Sequence, residues 1–409
     1  AQTSWVSQVT VAADAGAGAS PMAFALYKAP EDFPRADGRD EAKASRRVYL
    51  EITPLGGQPF VQVIEIVRPP VLLVHGVWSN ADSWRFFSPL ATGVDPRFAT
   101  ERADFSALVD VVSALPVQPE GSLTRIPASA LGLEFNADRV QEQADALVDD
   151  FSKGFNRLGI AVASAQVDFV GHSMGGVVVR TLATKPEYLS PRRFGAGVIH
   201  KLVTMNTPHL GSPMAAGLLQ ADNTCLRSSL VDLEVNEFLG LTLYTKEINN
   251  FSISQATLAS GEVVTGAIGD LVDAPLSAAL QRLVASPVTL PIAYVATSYE
   301  RWGALNGFRP GYLRGHCPAD PLAQALTPSD WPLLFGGPTN LTDGVVGRAS
   351  QINGASSAIE DVPDHAHSGG MLQLGFEPPH AQYPGDVQVA VVRALNRPVY
   401  VSAYFRPTP

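Results

Sequence analysis

The sequence has few charged residues for its length and no long apolar run. Only 17% of the 409 residues are charged, and 29 basic against 39 acidic residues give a net charge of −10. The basic residues form no block, so the electrostatic footprint of a nucleic-acid-binding protein is missing. No apolar run reaches the about 18 residues that a membrane-spanning helix needs. We therefore expect neither a nucleic acid as partner nor a transmembrane segment, and we interpret the acidic excess as favouring solubility.

Cysteine is also scarce, since only Cys225 and Cys317 are present. Their spacing fits no metal site. Two cysteines fit one disulfide in an exported protein, and equally two buried thiols in a cytosolic protein. The chain begins at Ala1 rather than at Met, which we interpret as a mature chain whose signal peptide has been removed. We therefore predict a secreted or periplasmic protein with a Cys225–Cys317 disulfide; a trimmed cytosolic chain is the alternative.

The most informative stretch is residues 167–176, which read Val-Asp-Phe-Val-Gly-His-Ser-Met-Gly-Gly. Gly-x-Ser-x-Gly between a β-rich apolar run and a helix-forming run is the pattern of a nucleophile elbow. The turn is so tight that side chains at either glycine would collide with the neighbouring backbone. We predict that Ser173 is a nucleophile and that the N–H of Met174, at the helix N-terminus, faces a developing oxyanion. The alternative is a glycine-rich turn with an idle serine.

A second motif follows the continuous apolar run at residues 71–74, which is typical of a strand buried on both faces. The run leads into His75, Gly76 and Val77. A glycine at this place lets the backbone approach a ligand closely, so the N–H of Val77 is the second candidate oxyanion donor. An ordinary glycine turn after a strand is the alternative.

Strand and helix patterns alternate through the middle of the chain. Asn136 resembles a helix N-cap, and an apolar stripe then predicts a helix over 137–158. This alternation predicts an α/β fold with a mostly parallel central sheet and helices on both faces. The segments assigned to this core are 67–212 and 291–409, with predicted strands at 71–74, 100–105, 167–170, 199–205, 291–298 and 359–362 and a C-terminal helix at 386–395.

Two further regions break the alternation. Residues 213–290 contain helical patterns at 229–248 and 271–284 with exposed-looking apolar residues, and we interpret them as a cap or lid insertion. Ordinary helices packed on the sheet are the alternative. Residues 1–66 are predicted to be a β-rich N-terminal extension. Its candidate strands lie at 5–12, 22–27, 48–52 and 60–67, and a last strand is predicted at 399–405.

A serine is a weak nucleophile until a base takes its proton, and the base needs an acid that fixes its tautomer. Asp343 lies in the turn Thr-Asp-Gly-Val-Val at 342–346, and His365 and His367 follow it. Ser173, Asp343 and one of these histidines give the chain order Ser…Asp…His. Other histidines also adjoin the motifs: we expect His172 to point away from the site.

His75 and His209 are predicted to be structural or pocket-lining. They lie in the loops that follow two predicted strands.

The motifs at 75–76, 171–176, 207–212 and 342–346 together resemble the bacterial lipase/esterase group of the α/β-hydrolase superfamily. The resemblance spans about residues 68–212 and 291–395. It implies an α/β-hydrolase fold and carboxylic-ester hydrolysis through an acyl-enzyme, often on apolar acyl chains, with no cofactor. In this group the catalytic histidine is commonly followed by a small or apolar residue and then glycine. His367 fits that pattern better than His365, which is kept as the alternative general base. Many relatives carry a calcium-holding Asp after this histidine, but Ser368 stands there, so no metal is predicted.

Together these motifs predict a carboxylic ester hydrolase, a lipase or esterase, acting on an ester with an apolar acyl group. Ser173, Asp343 and His367 are its predicted catalytic residues, and Val77 and Met174 its oxyanion hole. The cap is a candidate for contact with a lipid interface. A depolymerase of a polyester, or of another bulky ester such as a phospholipid, is the alternative activity. The alternative of another class is a non-catalytic binding protein on a hydrolase scaffold, with residues 1–66 as an adhesion element.

Overall fold

A computed structural model describes most of the predicted core. Cys225 and the predicted helix at 229–248 lie outside the described residues. Of the predicted strands at 5–12 and 22–27 only a part is described, and that part is exposed and contains no strand. The described residues are 8–13, 23–25, 27, 29–91, 93–112, 121–157, 162, 164–193, 195–220, 255–298, 314–315, 317–319, 321, 324, 327, 342–367, 381–382, 385–400 and 404–405.

Within these residues the chain forms twelve strands and seven α-helices. The strands are β1 Ser45–Ile52, β2 Phe60–Val67, β3 Val71–Val74, β4 Thr100–Arg102, β5 Leu108–Val112, β6 Leu123–Pro127, β7 Val167–His172, β8 Ile199–Met205, β9 Gln255–Thr257, β10 Val263–Thr265, β11 Ile292–Ser298 and β12 Ile359–Pro363. The helices are α1 Leu133–Arg157, α2 Met174–Leu182, α3 Pro213–Gln220, α4 Ala267–Asp270, α5 Ala278–Ala285, α6 Arg348–Gln351 and α7 Asp386–Asn396.

Six strands form the central sheet in the order β12-β11-β8-β7-β3-β4. Every neighbouring pair in this sheet is parallel. All residues of β3, β7 and β8 are buried, and β3 accordingly reads as a continuous apolar run rather than as an alternating pattern. The prediction of a mostly parallel central sheet is confirmed, and it places the carboxyl ends of β3, β7 and β8 side by side.

Helices cover both faces of this sheet, as predicted. Successive side chains of a strand point to opposite faces, and two separate apolar clusters follow that rule in β3. Leu72 and Val74 pack in one cluster with residues of α1 and α2, such as Val140 and Val177. Val71 and Leu73 pack in the other cluster with α7. The two layers hold β7, and therefore the residue that follows it, from both sides.

The β-rich N-terminal extension is present as a hairpin. Strands β1 and β2 pair antiparallel in an unbroken register from Ser45 opposite Val67 to Ile52 opposite Phe60. A polar network at the amino end of the sheet holds the chain just before this hairpin. Asp32 accepts hydrogen bonds from the N–H groups of Val399 and Tyr400, at 2.6 and 2.9 Å. Nε2 of His200, the second residue of β8, donates to the carbonyl of Glu31 at 2.9 Å, so the extension is held at the amino end of the sheet.

The described part of residues 213–290 packs closely on the rest of the chain. Ala256 of β9 lies in an apolar cluster with Val111 of β5 and Ile126 of β6. Asp270 accepts a hydrogen bond of 2.8 Å from the N–H of Leu133, the first residue of α1. The division of the chain at residues 66, 212 and 290 stays a prediction. Among the described residues, none of the helices is long and apolar enough to cross a lipid bilayer.

Candidate active site

Ser173 lies in the turn between β7 and α2 with a backbone conformation that side chains rarely adopt. Its φ is 53° and its ψ is −131°. A non-glycine residue with positive φ costs free energy, and it persists only where the surroundings hold it. Here the N–H of Ser173 donates to the carbonyl of Met205 in the adjacent strand, at 2.9 Å. The strained turn lifts the hydroxyl off the end of the sheet, as a nucleophile elbow requires.

The glycines on either side of Ser173 are required by close backbone contacts. A Cβ at Gly171 would lie 2.5 Å from the Cα of Gly176, and a Cβ at Gly175 would lie 2.3 Å from the carbonyl oxygen of Val74. Both are backbone contacts, so no side-chain movement could relieve them. The Gly-x-Ser-x-Gly spacing therefore follows from the packing of α2 against β3 and β7.

Three of the predicted site residues are brought together in one hydrogen-bonded chain. The hydroxyl of Ser173 is 2.8 Å from Nε2 of His367, and Nδ1 of His367 is 2.8 Å from Oδ2 of Asp343. Asp343 is fully buried, and the serine and histidine are each 6% exposed. Donation from Nδ1 to the carboxylate leaves the lone pair of Nε2 facing the serine hydroxyl, which is the tautomer that a general base needs.

The carboxylate of Asp343 is fixed by its own turn. Its Oδ1 accepts the N–H groups of Val345 and Val346, at 2.9 and 2.8 Å, which leaves Oδ2 for the histidine. The N–H of His367 also donates to the backbone carbonyl of Asp343, at 3.0 Å. Two separate hydrogen bonds thus join the aspartate turn to the histidine, one through side chains and one through the backbone.

His365 lies outside this chain of hydrogen bonds. Its Nδ1 bonds to the carbonyl of Pro363 at 2.8 Å, and its N–H donates to the carbonyl of Ser298 at 3.0 Å. Asp364 has a φ of 59°, so the backbone turns sharply between β12 and His367. Of the two imidazoles, only that of His367 contacts Ser173 and Asp343.

The two predicted oxyanion donors lie in segments that adjoin the serine. Met174 is the first residue of α2, and the first N–H groups of a helix have no acceptor within it. Val77 follows Gly76, where an added Cβ would lie 2.9 Å from the Cβ of Ser173. The loop after β3 therefore passes directly against the nucleophile, and glycine at position 76 makes that approach feasible.

His172 does not point away from the site, contrary to the expectation from sequence. Its Nε2 donates to the backbone carbonyl of His367 at 2.9 Å, and the centroids of the two imidazole rings are 5.1 Å apart. The residue is the last of β7, and it is buried. The sequence shows only that His172 immediately precedes Ser173. The direction of its side chain, and therefore its contact with His367, depends on the conformation at the end of β7.

His209 is fully buried and contacts α2, the helix that follows Ser173. Its Nδ1 accepts a hydrogen bond of 2.9 Å from Nη1 of Arg180, and its Nε2 is 3.2 Å from Oγ1 of Thr204. Burial, and then the nearby positive charge of Arg180, hold the pKa of His209 well below its usual value. His209 is therefore a neutral structural histidine, in agreement with one of the two roles that the sequence suggested.

The loop at 207–212 braces the aspartate turn. The hydroxyl of Ser212 donates to the carbonyl of Val345 at 2.5 Å, and the hydroxyl of Ser350 donates to the carbonyl of Gly211 at 2.7 Å. The loop at 207–212 therefore supports the site indirectly, because it stabilises the turn that carries Asp343.

Two further predictions concern groups that could bind a metal or form a crosslink. Within the part of the chain that the structure describes, no three His, Cys, Asp or Glu side chains are grouped to hold a metal ion. Cys317 is buried. Its predicted partner Cys225 lies outside the described residues, so the disulfide stays a prediction.

A parallel sheet with a serine on a strained strand-to-helix turn, together with helices on both faces, defines the α/β-hydrolase class. Residues 70–251 match the family described as "Putative serine esterase (DUF676)". The resemblance to bacterial lipases and esterases of this superfamily is confirmed, and the match supports an ester hydrolase.

Three similar solved structures have low sequence identity to this chain. Lipase 1 from Pelosinus fermentans is 15% identical, over 80% of this chain and 97% of that chain, with a TM-score of 0.40. EstA from Clostridium botulinum is 15% identical, over 80% and 87%, with a TM-score of 0.37. The mature lipase BlEst2 of Bacillus licheniformis is 12% identical, over 73% and 85%, with a TM-score of 0.35. Among curated proteins, none matches the chain.

Proposed function

We propose that the protein is a serine hydrolase that cleaves carboxylic esters, as a lipase or esterase, through an acyl-enzyme. The observation that carries this proposal is the unbroken hydrogen-bond chain from the hydroxyl of Ser173 through His367 to Asp343. A structural serine needs neither a strained turn nor an imidazole in the correct tautomer. All three groups are buried at the carboxyl ends of the strands, where open α/β sheets bind their ligands.

In the first half of the reaction, Oγ of Ser173 attacks the ester carbonyl carbon while Nε2 of His367 accepts the hydroxyl proton. The carbonyl oxygen becomes negative and accepts hydrogen bonds from the N–H groups of Val77 and Met174. Each such donor is worth on the order of a hundredfold in rate. The intermediate collapses when His367 gives its proton to the alkoxide oxygen. The alcohol leaves, and the acyl group remains on Ser173.

In the second half, water takes the place of the alcohol. His367 removes a proton from the water as its oxygen attacks the acyl carbon, and the same two N–H groups hold the oxyanion. The histidine then returns the proton to Oγ of Ser173, and the carboxylic acid is released. Asp343 keeps its charge throughout, since its role is to orient the imidazole and to stabilise the imidazolium.

The substrate that we propose is an ester with an apolar acyl group. Residues 213–290 are proposed to form the cap that contacts a lipid interface. Hydrolysis rates across p-nitrophenyl esters of increasing acyl length test the first point. A comparison of a soluble short ester, an emulsified triglyceride, a phospholipid and a polyester film separates the lipase from the two alternatives. A preference for the film or the phospholipid would replace lipase by depolymerase or phospholipase.

We further propose that the protein is secreted or periplasmic and that Cys225 pairs with Cys317. In the chain-entropy model a disulfide closing a loop of this length stabilises the fold by about 4 kcal/mol. Thiol titration of the denatured, unreduced protein should find no free thiol, whereas two free thiols would exclude the pair. Fractionation of expressing cells tests the location directly.

The rival proposal is a non-catalytic binding protein on a hydrolase scaffold. Such a protein has no use for all three groups in this geometry, which argues against it. A fluorescent alkyl phosphonate should label the protein with time, and the label should map to Ser173. Absence of labelling together with absence of p-nitrophenyl ester turnover would favour the binding protein.

A further inference from the structure

His75 is a buried histidine that the proposed mechanism does not use. It lies two residues before Val77, at the end of β3, and it is fully buried. Its Nδ1 is 2.9 Å from the carbonyl oxygen of Gly76, and its Nε2 is 3.3 Å from the backbone nitrogen of Phe105. Both ring nitrogens are thus engaged with backbone groups.

These two contacts define the tautomer of His75. The N–H of Phe105 can only donate, so Nε2 presents its lone pair and the proton lies on Nδ1. Nδ1 therefore donates to the carbonyl of Gly76. The ring also stacks on the ring of Phe105, with centroids 3.8 Å apart and planes inclined by 10°. The stacking fixes the ring plane, so the direction of the donated hydrogen bond is fixed as well.

A nearby carboxylate does not displace this arrangement. Oδ1 of Asp104 is 3.8 Å from Nε2 of His75, beyond the length of a hydrogen bond. The same oxygen accepts the N–H and the hydroxyl of Ser106, at 2.9 and 2.6 Å. Nε2 of His75 therefore keeps the N–H of Phe105 as its hydrogen-bond partner.

The carbonyl of Gly76 and the N–H of Val77 belong to one peptide unit. A trans peptide is planar, and its C=O and N–H point in opposite directions. A hydrogen bond that holds the carbonyl on the His75 side therefore directs the N–H of Val77 to the other side. Gly76 is the position at which this loop approaches Ser173, where an added Cβ would lie 2.9 Å from the serine Cβ.

We propose that His75 is a positioning residue that orients the N–H of Val77 for the oxyanion by hydrogen-bonding the carbonyl of Gly76. The inference rests on the proposed function, since it assigns a role within the same site. The oxyanion forms only as the reaction proceeds, so a misdirected donor affects the transition state more than substrate binding. Loss of the His75 donor should therefore lower kcat and leave KM nearly unchanged.

Three substitutions at one position separate orientation from packing. In His75→Asn the side-chain amide can occupy the place of Nδ1 and donate to Gly76. In His75→Gln the amide reaches only the place of Nε2, and in His75→Phe the stacking on Phe105 is kept without a donor. We expect the Phe and Gln variants to lose about 10- to 100-fold in kcat, less than the complete loss of an oxyanion donor. The Asn variant should recover most of that loss.

The measurement is kcat and KM for a short p-nitrophenyl ester, with the thermal unfolding midpoint of each variant as the control for folding. Equal kcat in the Asn and Gln variants, or a rise in KM at unchanged kcat, would overturn the role of His75. If the Phe variant does not fold, the Asn and Gln pair still decides the question.

Phosphonate labelling of Ser173 distinguishes this failure from that of the proposed function. A wild-type protein that is labelled at Ser173 while its His75 variants keep full kcat leaves the serine hydrolase intact and removes only the inference. If the wild-type protein is active but is not labelled at Ser173, both the proposed function and the inference about His75 are wrong.

Discussion

Nε2 of His172 donates a hydrogen bond to the backbone carbonyl of His367, at 2.9 Å. The residue before the nucleophile therefore holds the backbone of the residue that contacts the nucleophile. The two lie 195 positions apart in the chain. The end of β7 thus positions Ser173 and, through His172, the backbone of His367. A displacement of this strand end would therefore move both catalytic residues.

The first prediction concerns this contact. The substitution His172→Phe removes the donor and keeps a ring, so the backbone carbonyl of His367 loses this hydrogen bond. We expect kcat to fall about tenfold, because small displacements of a catalytic group are costly. The matched control is His172→Gln, whose amide nitrogen can replace Nε2 and should keep more activity. Equal kcat for the two variants would show that the hydrogen bond does not matter.

The second prediction concerns the acid. An amide in Asp343→Asn can donate to Nδ1, which favours the imidazole tautomer with its proton on Nε2, facing the serine. We expect a loss in kcat of about 10⁴-fold. Asp364 is exposed and close in sequence to His367, so Asp364→Asn is the control and should retain most activity. A larger loss at Asp364 would contradict the assignment of Asp343.

The third prediction separates the two histidines. His367→Ala should lower kcat to the level of a serine knock-out, because triad members act as one unit and their losses do not add. His365→Ala should keep most of the activity, since its ring bonds to the carbonyl of Pro363. Steady-state kinetics on a p-nitrophenyl ester measures both, and the reverse order would move the base to His365.

The fourth prediction concerns stability against pH. Nε and Nη2 of Arg35 donate to the two carboxylate oxygens of Asp40, at 2.5 and 2.8 Å. These hydrogen bonds hold the pKa of Asp40 well below its usual value. A depressed pKa in the folded state contributes stability above the unfolded value of about 4, and that stability is lost as the pH falls further.

We therefore expect Asp40→Asn to lower the free energy of unfolding by about 1 kcal/mol at pH 7, given the partial exposure of Arg35. The difference from wild type should shrink below about pH 4. Urea unfolding at a series of pH values measures it, with Asp37→Asn as an exposed control. A difference that is constant from pH 7 to pH 3 would exclude the ion pair as its source.

The fold could largely be predicted from sequence because its central strands are buried on both faces. The continuous apolar run of β3 indicates a strand buried on both faces, and the glycines around Ser173 mark a turn in which a Cβ would collide with backbone. Small hairpins were harder. Strands β5 and β6 are partly exposed and follow no clear periodicity, so that region was not recognised as strand.

The start of α1 shows a second limit. The predicted N-cap Asn136 lies inside the helix, and its amide donates to the carbonyl of Leu131 at 2.8 Å. The N-terminus of the helix is held instead by Asp270, which accepts from the N–H of Leu133. A cap supplied from 137 positions away leaves no local pattern to find.

The site, like the fold, could be predicted only in part from the sequence. The order of the motifs in the chain suggested Ser173, Asp343 and His367, because it matches the order Ser…Asp…His. The contacts of His172 and His75 could not be predicted, since each depends on the orientation of a side chain at the carboxyl end of a strand. Between His365 and His367, the ring contacts differ: Nδ1 of His365 bonds to the carbonyl of Pro363, and Nε2 of His367 lies 2.8 Å from the hydroxyl of Ser173.

The most direct measurement of the central proposal is the kcat of Ser173→Ala on a short p-nitrophenyl ester, beside wild type purified in the same way. Without Oγ no acyl-enzyme can form, and we expect a fall on the order of a millionfold with the thermal unfolding midpoint nearly unchanged. Turnover at more than a few per cent of wild type, in a folded and pure preparation, would show that Ser173 is not the nucleophile.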